Sequence, residues 1–264
     1  MTKTVIITGA SSGVGKACAE LFYRSGWNVV ATARAIATLG FLPDTDQTLK
    51  LRIDVTNESS IVDAMTAAIH RFGSIDVLVN NAGIGLGGAF ESITDNELRD
   101  IFSVNFFGAA SAIRAVAPLM RRQRAGVIVN VTSITGRLGL PFMGSYDATK
   151  FALEGLSESL RYEFSLVGVR IKLVEPGGVK TRFAHKWIRN DAYEPILGQF
   201  IDKMTKGATE AKGPEKVAEM VFKAATDRSR KLRYTVNGSG PFIYLHRLLP
   251  DAIWRRLVAS AFLA

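Results

Sequence analysis

Short apolar runs rich in β-branched residues alternate along the chain with longer stretches that have the periodicity of amphipathic helices. Runs such as Val-Ile-Val-Asn-Val are apolar almost throughout, as expected of strands that are buried on both faces of a sheet. The alternation predicts an α/β fold with a doubly wound, seven-stranded parallel sheet and helices on both faces. The predicted strands are residues 4–8, 28–32, 49–54, 77–80, 127–132, 169–175 and 233–236.

The segment 181–209, between the last two predicted strands, does not follow this alternation. It mixes charged residues with large apolar ones, which favours a lid over a pocket rather than a core element. Its apolar members include Phe183, Trp187, Tyr193, Pro195, Leu197 and Phe200.

The C-terminal tail, 242–264, combines apolar residues with His246, Arg247, Arg255 and Arg256. A Pro-Asp pair divides it into two short helices. We expect these helices to pack over the pocket or against another subunit, and we regard association with an anionic membrane surface as the less favoured alternative. Because no repeat and no low-complexity linker interrupts the chain, residues 1–264 are expected to form a single domain.

The chain is basic, with 33 Lys and Arg against 24 Asp and Glu and a formal net charge of +9. This charge suits nucleic acid, an anionic surface or a phosphorylated cofactor, but the basic residues are scattered, which disfavours a nucleic-acid site. Cys18 is the only cysteine, and the three histidines are far apart, so neither an intrachain disulfide nor a metal site is predicted. Met1 leads almost directly into a predicted strand, and no run of about 18 uncharged apolar residues occurs. We therefore expect a cytoplasmic protein.

A glycine-rich turn follows the first predicted strand and opens an amphipathic helix. Glycine permits a tight turn and close approach of the backbone to a pyrophosphate, while the helix N-terminus supplies free N–H groups. The spacing is G-x-x-x-G-x-G rather than G-x-G-x-x-G, but its place in a β-α-β unit indicates a Rossmann-type dinucleotide site. The residues of this turn expected to bind a cofactor are Gly9, Ser11, Ser12, Gly13, Val14 and Gly15.

The end of the second strand distinguishes NAD from NADP. An NAD enzyme places an acidic residue there to bind the ribose 2′-hydroxyl. In this chain no acid occurs between Glu20 and Asp44, and Arg34 follows the strand. A guanidinium binds a 2′-phosphate through paired hydrogen bonds, so the sequence favours NADP(H) as cofactor.

Several further motifs occur in a characteristic order: Asn80-Asn81-Ala82-Gly83, Asn105 in Val-Asn-Phe-Phe-Gly, Ser133, Tyr146-Asp-Ala-Thr-Lys150, and Pro176-Gly177 followed by Thr181. With these motifs the chain resembles the short-chain dehydrogenases/reductases. The resemblance implies hydride exchange with a nicotinamide cofactor, in which the catalytic residues are Asn105, Ser133, Tyr146 and Lys150. Tyr146 and Lys150 are also expected to contact the cofactor. The other contacts that the resemblance implies are Asp54, Val55, Asn81, Ala82, Gly83, Pro176, Gly177, Val179 and Thr181. Asn80 is expected to stabilise the sheet instead.

The spacing of Tyr146 and Lys150 supports this assignment on physical grounds. Residues four positions apart lie on one face of a helix, so the two head groups can meet. A free tyrosine has a pKa of about 10, too high for a base near neutrality. A lysine charge at about 4 Å, with an effective dielectric constant near 20, favours the phenolate by about 4 kcal/mol, or roughly three pKa units. We therefore expect Lys150 to lower the pKa of Tyr146.

The resemblance gives the other two catalytic residues their roles. Ser133 is expected to hold the substrate oxygen. Asn105 is expected to order a water molecule that links Lys150 to solvent, and the alternative for Asn105 is a polar residue that kinks a buried helix.

Apolar residues before Tyr146, after the fourth strand and in the lid predict an apolar substrate pocket. The stretch 145–160 and Glu175 resemble the hydroxysteroid and retinol dehydrogenase branch of the family. The predicted function is an NADP(H)-dependent oxidoreductase that acts on an apolar ketone, an aldehyde or a secondary alcohol, with Tyr146 as general acid or base. The alternative is a non-catalytic NADP-binding sensor or scaffold. Family members form homodimers or homotetramers through the helices that contain Asn105 and Tyr146, and we expect the same here.

Overall fold

The predicted alternation of strands and helices is present in the computed structural model, which describes residues 2–263. Seven strands form one parallel sheet in the order β3-β2-β1-β4-β6-β7-β9, and two more form a separate pair. The strands are β1 Thr4–Ile7, β2 Asn28–Ala33, β3 Thr48–Arg52, β4 Val77–Asn80, β5 Gly85–Gly88, β6 Gly126–Val131, β7 Val169–Pro176, β8 His185–Ile188 and β9 Arg233–Val236. All seven predicted strands are present, and their ends agree within about two residues.

Helices cover both faces of the seven-stranded sheet. They are α1 Gly13–Arg24, α2 Glu58–Phe72, α3 Asp95–Phe102, α4 Gly108–Gln123, α5 Gly144–Ser165, α6 Ile196–Glu210, α7 Glu215–Thr226, α8 Ser239–Leu248 and α9 Asp251–Phe262. The fold prediction of a Rossmann-type, doubly wound α/β protein is therefore confirmed.

The core is divided by the sheet into two layers. Val5 and Ile7 of β1 face a cluster that includes Phe22 of α1, whereas Ile6 faces a cluster that includes Met120 of α4. Because neighbouring residues of a strand point to opposite faces, a strand buried on both faces must be apolar at every position. This requirement explains the continuous apolar runs that identified the strands.

The site is positioned by the strand order. The chain winds outward from β1 to β3 and then returns to place β4 on the other side of β1. The loops that leave β1 and β4 therefore diverge, and this reversal creates a crevice at the carboxyl ends of the strands, where doubly wound proteins bind ligands.

The segment 181–209 has secondary structure that the sequence did not predict. It contains β8, which pairs in parallel with β5, and α6, whose Leu197 and Phe200 are buried. The pairing continues in a backbone hydrogen bond from Ala89 N to Ile188 O at 3.0 Å, and Gly88 N donates to Phe142 O, in the loop before α5, at 2.7 Å. The segment is thus held to the loop after β4 by a small sheet.

The C-terminal tail forms two helices, α8 and α9, separated at Pro250 as expected. Met1 and the last tail residue, Ala264, lie outside the described residues. The Phe262 ring contacts the Phe200 ring of α6 with 5.7 Å between centroids, so the tail lies against the segment 181–209. Large apolar side chains of the tail nevertheless remain exposed, among them Tyr244 and Leu248.

One continuous helical run, Asp95–Gln123, is long and apolar enough, by length and composition alone, to cross a membrane. Core helices of soluble proteins pass the same test. This run comprises α3, a π-helical turn and α4, and Ala112, Ile113, Val116 and Met120 of α4 belong to the core layer between α4 and the sheet.

Candidate active site

The glycine turn between β1 and α1 forms one wall of the crevice. Gly9 and Gly13 have φ angles of +68° and +53°, a backbone conformation that other residues rarely adopt. A Cβ atom at Gly9 would lie 2.8 Å from the Cα atom of Ala82. Positions 9 and 13 of the turn therefore require glycine, and without side chains at these positions the backbone is accessible to a ligand.

The end of β4 is fastened to this turn by hydrogen bonds. The side-chain amide of Asn81 donates to the carbonyl oxygens of Thr8 and Gly9 at 3.0 and 3.1 Å. The hydroxyl oxygen of Thr8 accepts from the backbone N–H groups of Asn81 and Ala82 at 3.0 and 3.1 Å. Gly83 follows, with the carboxamide of Asn105 close by. These bonds fix the floor of the crevice at the point where the strand order reverses.

The N-terminus of α1 faces the same crevice and fits an anionic group. Ser12 is the N-cap residue, but its side chain makes no capping hydrogen bond, and the first turn contains no acidic residue. Its neighbours Ser11 and Val14 are half-buried. The N–H groups of this turn thus remain available for a phosphate, whose charge the helix dipole stabilises. Thr181 lies beside it, 3.2 Å from where a Cβ atom at Gly13 would be.

The end of β2 carries an exposed basic residue. Arg34 forms no hydrogen bond or ion pair within residues 2–263. Nearby, hydrogen bonds from Thr56 are the main cause that lowers the pKa of Asp54, and the charges of Arg34 and Arg52 contribute. Val55 packs against the first residue of α4, Gly108, where a Cβ atom would lie 2.8 Å from the Val55 Cβ.

The third wall comes from the loop after β7. The N–H group of Gly177 donates to Val236 O at 3.0 Å, and a Cβ atom at Gly177 would lie 2.6 Å from the carbonyl oxygen of Asn237. Val179 packs against the core layer between the sheet and α1. Together with Pro176 at the end of β7, these residues bring the loop to the crevice opposite β4.

Tyr146 and Lys150 project from the first two turns of α5 toward the crevice. The Lys150 Nζ atom lies 5.6 Å from the centroid of the Tyr146 ring and donates a hydrogen bond to Val131 O at 3.2 Å. Burial lowers the pKa of Lys150 to about 8, and the charge of Glu154, one helical turn further on, opposes this decrease. The lysine is thus a buried cation held by a strand carbonyl.

The expected decrease in the pKa of Tyr146 is not found. Burial raises its pKa above the ordinary value, whereas a hydrogen bond with Ser133 lowers it and the charge of Asp147 raises it. The physical reason is that burial removes the water that would solvate a phenolate, and this desolvation is the largest influence on the pKa of Tyr146. The buried tyrosine is therefore protonated and is a hydrogen-bond donor.

Ser133 follows β6 with an extended backbone, at φ −167° and ψ 161°. Its hydroxyl oxygen accepts from the Thr135 N–H and from the Thr135 hydroxyl, both at 3.2 Å. These bonds orient the serine side chain while leaving its own proton free for another acceptor.

Asn105 lies in the π-helical turn Ser103–Phe107 between α3 and α4. Its amide donates to Ile84 O at 2.9 Å and to the Thr149 hydroxyl at 3.1 Å, and its carbonyl accepts from Ile84 N at 2.8 Å. Single π-helical turns occur frequently at functional sites. The side chain therefore joins the loop after β4 to α5 within one turn of Lys150. The side-chain amide of Asn80 in β4 donates a hydrogen bond to the side chain of Asn130 in β6 at 2.9 Å, within the sheet.

A cluster of buried charged side chains lies next to Lys150, and its member Glu154 stabilises the positive charge of that lysine. Arg233 contacts both Glu154 and Glu175 at 3.2 Å, and Arg137 contacts Glu175 at 3.1 Å. The Thr132 hydroxyl donates to Glu154 at 2.7 Å. Burial and the charge of Glu175 raise the pKa of Glu154, whereas Thr132 and the two arginines lower it.

One site residue was missed by the sequence analysis. The His185 ring lies 5.2 Å from the Tyr146 ring, between centroids, and contacts Phe183 and Trp187 at 5.3 and 5.2 Å. Phe183 also reaches Tyr146, at 6.0 Å. Of the aromatic residues expected in the lid, Phe183 contacts Tyr146 directly, and Trp187 contacts His185 beside it. A histidine isolated in sequence gave no signal, because its pairing with β5 is visible only in three dimensions. Within residues 2–263, no cluster of His, Cys, Asp and Glu could hold a metal ion.

Comparison with known proteins agrees with this geometry. The sequence profile described as short chain dehydrogenase matches residues 3–192. An uncharacterized oxidoreductase of Schizosaccharomyces pombe is 39% identical over 194 residues, which cover 72% of this chain and 81% of that protein. A 3-ketodihydrosphingosine reductase of Bacteroides thetaiotaomicron is 41% identical over 179 residues, 68% of this chain and 65% of that protein. Dehydrogenase/reductase SDR family member 7B of Xenopus laevis is 29% identical over 97% of this chain and 81% of that protein.

Solved structures are similar over nearly the whole chain. A short-chain dehydrogenase from Streptomyces avermitilis has a TM-score of 0.87 and 34% identity, covering 97% of this chain and 96% of that one. A homologue from Burkholderia phymatum, solved with NAD, has a TM-score of 0.80 and 29% identity over 97% and 95% of the two chains. ElxO, solved with NADP, has a TM-score of 0.76 and 27% identity over 90% and 98%. The chain therefore belongs to the short-chain dehydrogenase/reductase family of oxidoreductases, and it is similar to the hydroxysteroid and retinol dehydrogenase-like branch.

Proposed function

We propose that this chain is an NADP(H)-dependent oxidoreductase that transfers a hydride between the nicotinamide and an apolar ketone or aldehyde, or a secondary alcohol in the reverse direction. The observation that carries the proposal is the convergence of Ser133, Tyr146 and Lys150 beside the glycine turn. A protonated tyrosine, an oriented hydroxyl and a buried cation are the groups required to polarise a carbonyl.

The crevice fits a dinucleotide. The glycines at positions 9 and 13 admit close backbone contact, and the open N-terminus of α1 is suited to the pyrophosphate. Asn81, Ala82 and Gly83 form the floor, whereas Pro176, Gly177, Val179 and Thr181 approach from the loop after β7. When bound, the nicotinamide supplies or accepts the hydride.

The proton is handled by the chain's own residues. Tyr146 donates its hydroxyl proton to the carbonyl oxygen of the substrate as negative charge develops there, and Ser133 donates a second hydrogen bond to the same oxygen. The phenolate that remains is stabilised by Lys150, which is largely protonated at neutral pH because its pKa is about 8. Asn105 holds the π-helical turn against α5, and a water molecule that returns the proton to this pair would donate to its carboxamide oxygen, because both of its amide hydrogens are already bonded. In the oxidative direction the same proton moves from alcohol to tyrosinate.

Preference for NADP(H) over NAD(H) rests on Arg34. Its guanidinium is exposed at the end of β2 and forms no hydrogen bond or ion pair within residues 2–263. Its positive charge contributes to the lowered pKa of nearby Asp54. Paired hydrogen bonds from a guanidinium to a 2′-phosphate would occupy it.

An apolar substrate is supported by the surroundings of Tyr146. The rings of Phe183 and His185 contact the tyrosine directly, and Phe142 and Trp187 continue the aromatic wall to Phe200. The segment 181–209 acts as the lid of this pocket. The 3-ketodihydrosphingosine reductase of Bacteroides thetaiotaomicron is, by its name, a ketone reductase.

We further propose that the protein is cytoplasmic and forms a homodimer or a homotetramer. An open apolar groove runs between α4 and α5, the helices that flank the catalytic residues on this side. Its lining includes Ala110, Ala117, Leu160 and Phe164. A second copy related by a twofold axis would bury the same groove on both subunits.

Substitution of Tyr146 tests the catalytic assignment. We expect Tyr146→Phe to lower kcat for NADPH-dependent ketone reduction by at least about a hundredfold, because the acid is lost while the ring packing is kept. Tyr162→Phe, on the exposed part of α5, is the matched control and should retain wild-type rates. Equal rates in wild type and Tyr146→Phe would remove Tyr146 from the catalytic assignment, whereas NADP binding with no turnover in wild type would be the property of a sensor or scaffold.

A further inference from the structure

His185 is a half-buried polar residue whose imidazole lies among aromatic rings. Three rings contact its imidazole, those of Tyr146, Phe183 and Trp187, at centroid distances between 5.2 and 5.3 Å. Its Nε2 atom is buried and has no hydrogen-bond partner among residues 2–263. Buried polar atoms are nearly always bonded, so an exception beside a catalytic group calls for a partner that arrives with a ligand.

The backbone opposite His185 is built to admit its ring. In the register of the small sheet, Gly85 of β5 pairs with His185. A Cβ atom at Gly85 would lie 2.6 Å from the His185 Cδ2 atom and 2.8 Å from its Cγ atom. The glycine therefore provides the space that the imidazole occupies, and any larger residue would displace the ring.

The imidazole is uncharged in this position. Burial lowers the pKa of His185 to about 4, and no carboxylate contacts the ring to oppose that decrease. A neutral imidazole has one N–H group and one lone pair, so it can donate to a carbonyl or accept from a hydroxyl. A phenylalanine would pack among the same rings without burying a polar nitrogen, so packing alone does not account for a histidine.

We propose that His185 is a substrate-binding residue that recognises a second polar group next to the reacting carbonyl. The substrate class is then an α-hydroxyketone or a dicarbonyl compound with an otherwise apolar body. The second oxygen bonds to the imidazole while the reacting oxygen bonds to Tyr146 and Ser133, and the hydrocarbon lies against Phe183. This inference rests on the proposed function and assigns a substrate class to the same site.

The test compares two substrates that differ only in the second polar group. Acetophenone and α-hydroxyacetophenone are assayed with NADPH in wild type, His185→Phe and His185→Gln. His185→Phe should lower the ratio of kcat/KM for α-hydroxyacetophenone to that for acetophenone by about 5- to 100-fold, the range for loss of one buried hydrogen bond. His185→Gln retains a side chain that can donate and accept, and it should restore part of the loss. An equal effect of His185→Phe on both substrates, or none on either, would overturn the proposal.

Substitution of Gly85 gives a second route to the same answer. Gly85→Ala leaves the chemistry of the histidine intact but displaces its ring, so it should reduce the discrimination between the two substrates as His185→Phe does. Gly207→Ala, in α6 where an added Cβ meets nothing within 4 Å, is the matched control. Unchanged discrimination in Gly85→Ala would contradict the geometry.

Binding measurements separate failure of this inference from failure of the proposed function. If wild type reduces neither ketone, the oxidoreductase proposal fails for this substrate class. Calorimetric titration of the NADPH-loaded protein with α-hydroxyacetophenone then still tests His185. Weaker binding to His185→Phe than to wild type supports the proposal, and equal binding or no binding overturns it.

Discussion

At the scale of single residues, burial decides the chemistry of this site as much as sequence spacing does. The i, i+4 placement of Tyr146 and Lys150 was predicted, and both side chains do lie together. The predicted decrease in the tyrosine pKa was wrong, because a charge pattern contains no information on desolvation. His185 was not predicted, since its neighbours come from other parts of the chain.

Arg34 makes the cofactor preference testable. Arg34→Asp places a carboxylate where the 2′-phosphate of NADP would lie, so repulsion should weaken NADP binding by at least about tenfold and leave NAD binding equal or improved. Dissociation constants for both cofactors, measured by calorimetry, give the result. Arg24→Asp, exposed at the end of α1, controls for the change in net charge. An unchanged ratio of the two constants would remove Arg34 from cofactor recognition.

Asp147 makes the stability of the protein depend on pH. Burial raises its pKa to about 7, whereas hydrogen bonds from the backbone N–H of Leu140, at 2.9 Å to Oδ2, and from Thr135 lower it. The folded state therefore binds a proton that the unfolded state has lost between about pH 4 and pH 7, so this group's contribution to stability falls as the pH rises through that window.

Asp147→Asn should remove this pH dependence. The amide stays neutral and its oxygen can still accept from Leu140, so at pH 8 the variant should exceed wild type in free energy of unfolding by about 2 to 4 kcal/mol. The difference should vanish near pH 4. Urea unfolding at several pH values measures it, with Asp202→Asn on the exposed side of α6 as control. Parallel pH profiles for wild type and Asp147→Asn would contradict the argument.

At the scale of secondary-structure elements, the seven core strands could be predicted because each is buried on both faces and must be apolar throughout. The pair β5 and β8 could not. The sequence of β5 is Gly-Leu-Gly-Gly, and glycine is disfavoured in strands. Its strand conformation depends on the bulky residues His185 and Trp187 of β8, which occupy the space above Gly85 and Gly87. This is a tertiary cause that local sequence does not contain.

The charge cluster beneath the site joins α5, β7 and β9 through Arg233. Arg233→Met would leave the buried carboxylates of Glu154 and Glu175 without their shared cation, and we expect a loss of about 3 to 5 kcal/mol in the free energy of unfolding. Urea denaturation near neutral pH provides the measurement. Arg230→Met, at an exposed position in the loop before β9, should change stability by less than about 0.5 kcal/mol. A similarly small change in Arg233→Met would show that solvent reaches both carboxylates.

At the scale of the whole molecule, assembly is the property that the sequence addressed only through family resemblance. The groove between α4 and α5 provides a physical basis, and it can be blocked without touching the site. Ala117→Glu introduces a charge into the apolar lining and should raise the dimer dissociation constant by at least about tenfold. Light scattering over a range of concentrations reports the mass. Val62→Glu, at an exposed position of α2, is the control, and a monomeric wild type would refute the proposal.

The small sheet formed by β5 and β8 contains an amide whose hydrogen exchange can report the rate of lid opening. We propose that a substrate enters and leaves beneath the lid by movement of β8, which would break the bond from the Ala89 amide to Ile188 O. That amide proton exchanges with deuterium only while the bond is broken, so at high pH, where chemical exchange is faster than closing, its exchange rate equals the rate of lid opening in the resting protein. If turnover approaches that rate, the slow step is the opening of the lid rather than the transfer of the hydride.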